Sequence, residues 1–176
     1  MNNSDDINFS LDNYTGYIEI NRPPHNYFDE DLISKIADIL EDLDKQDNCR
    51  SIILCSIGKN FCAWANFSKS NFIKGENIYE NLYKQALRIF RTSKPIIAVI
   101  QGAAIGGGLG LALSADFRVT CKEAKFSANF GKLGFHQGFG TTVTLPRLVG
   151  YQKAKLLLLT SKRITGEEAY NIGLAD

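Results

Sequence analysis

The sequence predicts an α/β fold, organised as a single domain over residues 1–176. Short β-branched runs, read as buried strands, alternate with segments whose apolar residues recur at helical spacing. At 44% hydrophobic, the chain carries enough apolar material for one core. No low-complexity stretch and no Pro/Gly/Ser-rich linker suggests an internal boundary.

Taken in order, Gly16–Asn21 alternates in polarity and stops at Arg22-Pro23-Pro24, as a strand ended by prolines would. Asp29 or Asp31 can cap a helix whose stripe is Leu32, Ile33, Ile36, Ile39, Leu40 and Leu43. Ser51–Ile57 reads as a buried strand and Gly58–Ser70 as a loop. A second helix is expected near Glu76–Arg91, with Tyr79, Leu82, Tyr83, Ala86, Ile89 and Phe90 on related faces. Pro95–Gln101 is again strand-like. Gly106–Ala115 reads as a tight turn entering a small-residue helix from about Leu109. Phe117–Cys121 is a further strand, Lys153–Leu159 a helix, and Thr165-Gly-Glu-Glu168 a capping box opening a last helix. The chain stops at Gly173–Asp176 in mid-pattern, so it is expected to be incomplete at its C-terminal end.

Composition excludes several classes of function. Lys+Arg 20 against Asp+Glu 19 leaves no basic excess for a nucleic-acid partner. Met1–Asp6 has no basic n-region or apolar h-region, which argues against a signal peptide. The longest apolar runs, Ile96–Ile100 and Leu156–Leu159, are too short to span a bilayer. A cytoplasmic protein with no membrane partner is expected. Cys49, Cys55, Cys62 and Cys121 form no Cys-x-x-Cys pair and are expected to be buried free thiols of a reducing compartment. With His25 and His136 the two histidines, neighbouring motifs assemble no metal-ligand set, and no metal or separate cofactor is expected.

Two loops rich in small residues each follow a strand: Gly58–Phe67 and Gln101–Gly110. Small residues let backbone N–H groups approach a ligand, and a helix starting there adds its positive end. A pair of such donors can hold a carbonyl oxygen whose charge grows during reaction. The same glycines would also serve tight packing. They are not a nucleotide motif: no Gly-x-x-x-x-Gly-Lys-Ser/Thr is present, and Leu111 breaks Gly-x-Gly-x-x-Gly.

The run Lys94-Pro-Ile-Ile-Ala-Val-Ile-Gln-Gly-Ala-Ala-Ile-Gly-Gly-Gly-Leu-Gly-Leu-Ala-Leu-Ser-Ala-Asp-Phe-Arg118 resembles the signature of the crotonase (enoyl-CoA hydratase/isomerase) superfamily. So do Asn21-Arg-Pro, Phe61-Cys-Ala, Leu145-Pro-Arg-Leu-Val-Gly150 and Ile164–Leu174, in family order and spacing. The resemblance covers nearly the whole chain. It implies a crotonase-like spiral of ββα units, of the ClpP/crotonase kind, whose C-terminal helical region is missing here. In a full-length relative those helices help bind coenzyme A and build a homo-trimer or hexamer.

The implied ligand is an acyl-CoA or acyl-carrier thioester, with coenzyme A part of the substrate. By matching position, the backbone N–H groups of Ala65 and Gly107 would form the oxyanion hole. Ala63, Trp64 and Gly106 beside them would contact substrate, as would Phe130, Gly138 and, near the coenzyme moiety, His25. Trp64 replaces the usual glycine, and Asn66 an aspartate that often caps a helix.

The same matching assigns the two hydratase glutamates to Gly110 and Phe130, and an isomerase acid to Gly138. None of these can move a proton. His136, in the loop that normally faces the acyl group, and Tyr83, where a dehalogenase branch carries a histidine, are the replacement candidates. Asn129 and Gln137 could orient water but are poor bases. Lyase or isomerase chemistry through an enolate, decarboxylation included, fits better than hydration. The competing expectation is an inert acyl-CoA binding or assembly subunit. What separates the two is whether a titratable side chain faces the thioester.

Overall fold

The structure, a computed structural model, describes residues 6–63 and 78–176. In chain order the first elements are β1 (Ile7–Asp12), β2 (Thr15–Ile20), α1 (Glu30–Asp44), β3 (Ser51–Ser56) and β4 (Cys62–Ala63). Next come α2 (Ile78–Ile89), β5 (Ile96–Ile100), β6 (Ala103–Ile105), α3 (Gly107–Leu113), β7 (Phe117–Thr120) and β8 (Lys125–Ser127). A 3₁₀ turn (Asn129–Leu133), α4 (Thr141–Thr160), β9 (Ile164–Thr165) and α5 (Gly166–Asn171) complete the described chain.

The strands form two sheets. The larger has the order β1-β2-β3-β5-β7, parallel after the antiparallel β1–β2 hairpin. The smaller runs β4-β6-β8-β9, parallel except for β9. Each of β3, β5 and β7 therefore hands the chain to a short strand of the second sheet before the next helical segment. That recurring strand–strand–helix step is the spiral of ββα units that the resemblance implies.

Helix α1 forms because its cap and its stripe agree. Asp29, in extended backbone, accepts the Leu32 N–H at 3.0 Å. Leu32, Ile33, Ile36, Ala37, Leu40 and Leu43 are all buried. Burying a large aliphatic side chain contributes about 1.5–3 kcal/mol as an upper estimate, so this face anchors the domain. Arg22 ties the hairpin to the helix start, its guanidinium donating to Asp6 and Asp29 at 2.8 Å each. Arg88 of α2 grips Asp38 at 2.5 Å and Glu41 at 2.7 Å on α1. Through that clamp α2, and Tyr83 on it, is held over the core.

At the other end Arg118 is buried. Burial pushes its guanidinium below the ordinary value, yet the carbonyls of Leu174, Ala115 and Asp116 accept from it at 2.8, 2.6 and 3.0 Å.

One expectation needs correcting. The small-residue helix begins at Gly107, not near Leu109. Lys153–Leu159 is helical as expected, within α4, which also takes in an unforeseen stretch from Thr141. Pro146 lies inside it and Gly150 breaks it with φ 77° and ψ 160°, so its apolar residues do not keep one helical phase. The strands of two or three residues are too short to show a period at all. Among the described residues no helix is long and apolar enough to cross a membrane, and no group of three or more His, Cys, Asp or Glu gathers as a metal site.

Candidate active site

The turn between β6 and α3 is fixed by Gly106, whose φ of 59° and ψ of −118° suit glycine alone. Its N–H donates to the Ser127 carbonyl of β8 at 2.8 Å, locking the turn to the second sheet. The positive φ of the turn falls on Gly106 and not on Gly107. Gly107 is small for a different reason: a Cβ built there would lie 2.2 Å from Cζ of Phe28. As the first residue of α3, Gly107 carries one of the N–H groups that a helix start leaves without an intrahelical acceptor.

This turn borders a cavity of about 520 Å³, well within the range of about 300–1,000 Å³ usual for small-molecule sites. Phe28 forms one wall, and Tyr83 and Ala86 of α2, with Phe90 just beyond its end, form another. The rest comes from Gly106, Gly107 and the segment between Asn129 and Gly140. Phe139 packs edge-on to Phe28 (5.8 Å between centroids) and tilted against Phe90 (6.2 Å). No Asp or Glu is among the described lining residues. Tyr83, 38% exposed, and the exposed His136 bring the titratable groups to the wall.

The positions that the resemblance assigns to acids are spatially filled. A Cβ at Gly110 would lie 2.3 Å from Cβ of Phe139, and one at Gly138 would lie 2.4 Å from the Tyr83 hydroxyl. Aromatic side chains therefore occupy the space into which those side chains would project. Phe130 itself lines the cavity. Beside it Asn129 is only 7% exposed, and its carboxamide oxygen lies 2.8 Å from where a Cβ of Gly106 would sit. Gln137 donates from Nε2 to the Leu158 carbonyl at 2.8 Å, pinning the 134–140 loop to α4.

Of the residues singled out in the sequence, Gly106, Gly107, Tyr83, Phe130, His136 and Gly138 share this one cavity. His25 does not line it; it is exposed and stacks on Tyr27 with ring centroids 5.0 Å apart. Its carbonyl accepts the Ala63 N–H at 2.9 Å, and Ala63 is buried in β4 outside the cavity lining. Trp64, Ala65 and Asn66 lie outside the described residues.

The cysteines are free, but not all are buried: Cys49 and Cys62 are, Cys55 is half-buried and Cys121 is exposed. Burial, with Glu19 adding to it, pushes the Cys55 thiol up to about 11, so it is no ready thiolate.

Phe28 and Phe139 escaped sequence reasoning as site residues. Phe28 precedes a helix cap and Phe139 follows Gly138, and nothing in an isolated phenylalanine says that it faces a cavity.

Comparison with known proteins agrees with this architecture. The family model described as enoyl-CoA hydratase/isomerase matches residues 12–176. A probable enoyl-CoA hydratase of Bacillus subtilis (strain 168) is 33% identical over 172 residues, covering 96% of this chain and 67% of the relative. The crystal structure of an enoyl-CoA hydratase from Bacillus anthracis superposes with a TM-score of 0.89 at 30% identity, over 97% of this chain and 68% of that one. The structure of Pseudomonas aeruginosa DspI gives 0.88 at 28% identity, over 99% of this chain and 73% of that one. A ββα spiral matched in both sequence and shape over almost its whole length makes the chain a member of the enoyl-CoA hydratase/isomerase family, within the crotonase superfamily.

Proposed function

We propose that the chain binds an acyl-CoA or acyl-carrier thioester in this cavity and stabilises its enolate, without hydrating a double bond. The acyl group lies among Phe28, Phe90 and Phe130, and the thioester oxygen takes the Gly107 N–H, with Ala65 as the second donor. Charge that moves onto that oxygen when a bond at C2 breaks is met by fixed dipoles, the condition under which such donors are most effective. The Tyr83 hydroxyl, which stands over Gly138 where the resemblance puts an isomerase acid, takes up the C2 proton while passing its own to His136, which exchanges it with solvent at the rim; the reverse relay returns a proton to carbon. Isomerisation or decarboxylation fits these groups.

The observation that carries the reading is the meeting of the Gly106–Gly107 turn, Tyr83 and His136 on one apolar cavity with no carboxylate among its described lining residues. A second reading, an acyl-thioester binding subunit without chemistry, draws on the aromatic filling beside Gly110 and Gly138.

Deuterium exchange at C2 of 3-hexenoyl-CoA, followed by NMR, separates the two. Exchange is expected with the unaltered protein and should slow about 10²–10⁴-fold in Tyr83→Phe, the usual range for loss of one proton-transfer group. Binding without exchange would favour the inert subunit, and exchange unaffected by Tyr83→Phe would remove the phenol from the reaction.

A further inference from the structure

We propose that Asn129 is a specificity-determining residue that recognises an oxygen substituent, hydroxyl or oxo, carried on the acyl chain close to the thioester. The proposal rests on the acyl-thioester reading above.

Asn129 opens the 3₁₀ turn after β8 and is 7% exposed, with its side chain among the lining of an otherwise largely aromatic and aliphatic cavity. Among the described residues its carboxamide has no hydrogen-bond partner. A carboxamide offers one acceptor oxygen and two N–H donors; those of Asn129 are not closed off from solvent, and a polar group sealed in without a partner is unfavourable. Other polar side chains of the cavity are differently placed: Gln137 donates from Nε2 to the Leu158 carbonyl and its Oε1 is sealed from solvent without a partner, and His136 stands exposed at the rim.

A hydrocarbon acyl chain entering here expels water from around Asn129 and leaves the amide with nothing to bond. An acyl chain carrying oxygen in reach restores the partner. Sites built around such a group reject the analogue that lacks it far more strongly than an apolar pocket rejects a missing methylene.

Geometry limits where that oxygen sits. The Asn129 carboxamide oxygen abuts Gly106, the immediate neighbour of Gly107, whose N–H takes the thioester oxygen in the reading above. The recognised substituent therefore lies within a carbon or two of the thioester, at C2 or C3, rather than at the far end of the chain. A hydroxyl or a keto oxygen both satisfy a carboxamide, which can donate to either and accept from the first.

The test is calorimetric titration of hexanoyl-CoA, 3-hydroxyhexanoyl-CoA and 3-oxohexanoyl-CoA into the unaltered protein and into Asn129→Leu, a swap of similar size without the amide. The unaltered protein is expected to bind at least one oxygenated ligand about tenfold to a hundredfold more tightly than hexanoyl-CoA. In Asn129→Leu that preference should vanish while hexanoyl-CoA binds as well or better. Equal affinities for all three ligands in the unaltered protein overturn the proposal, as does an undiminished preference in a folded Asn129→Leu. The comparison within the unaltered protein decides the matter even if the variant does not fold. Binding of none of the three would overturn the acyl-thioester reading and this proposal with it, a result distinct from equal binding.

Discussion

Crotonyl-CoA mixed with the purified chain is expected to keep its double bond. Hydration needs one group to take a proton from water and another to deliver one to C2, and the resemblance puts these groups at Gly110 and Phe130. Neither residue has a proton to exchange. Each missing acid or base commonly lowers a rate about 10²–10⁴-fold, against ordinary kcat values of roughly 1–10³ per second. Spectrophotometric loss of the enoyl thioester should therefore be indistinguishable from the uncatalysed background.

Returning a carboxylate is not expected to be enough. In Gly110→Glu the new Cβ would fall 2.3 Å from Cβ of Phe139, so the side chain cannot reach the cavity unless Phe139, itself buried and at φ 52°, moves. Hydration by the unaltered chain at a rate ordinary for enzymes would overturn this part of the reading.

The second large effect is expected at Gly107. A Cβ there would lie 2.2 and 2.4 Å from Cζ and one Cε of Phe28. Phe28 is wedged against Phe139, so Gly107→Val must displace either the ring or the turn. If the ring moves, the acyl wall changes shape; if the turn moves, its N–H loses its aim. Loss of one oxyanion donor typically costs about 10²–10³ in rate, and the C2 exchange of 3-hexenoyl-CoA should fall by that order, with weaker calorimetric binding of acyl-CoA.

Circular dichroism checks that the variant is folded. Phe28→Leu in the same background provides a coupling test, because residues in contact are not additive. Undiminished affinity and exchange in a folded Gly107→Val would remove Gly107 from the site.

Much of the fold was legible because several local signals agreed. Asp29 caps where an apolar stripe begins, and Thr165 and Glu168 form the capping box the sequence spells out. The β-branched runs at Ser51 and Ile96 became central parallel strands. What stayed hidden was set by tertiary contact. β4 and β9 are two residues long and exist only because a neighbouring strand pairs with them. The first stretch of α4, from Thr141, hid behind Pro146 and Gly150.

In the site, the glycine turn could be read from composition, yet the reason for Gly107 could not. Positive φ belongs to Gly106, while Gly107 answers to a phenylalanine 79 positions earlier in the chain, Phe28. That Phe139 and the Tyr83 hydroxyl fill the space beside Gly110 and Gly138 is likewise a fact of packing. No local pattern encodes it.

The most direct measurement is a crystal structure of the chain with hexanoyl-CoA bound. The thioester oxygen should lie about 2.7–3.1 Å from the Gly107 nitrogen, the distance at which such donors act, with the acyl chain running between Phe28, Phe90 and Phe130. An acyl chain outside this cavity, or a thioester oxygen turned away from Gly107 inside it, would contradict the assignment.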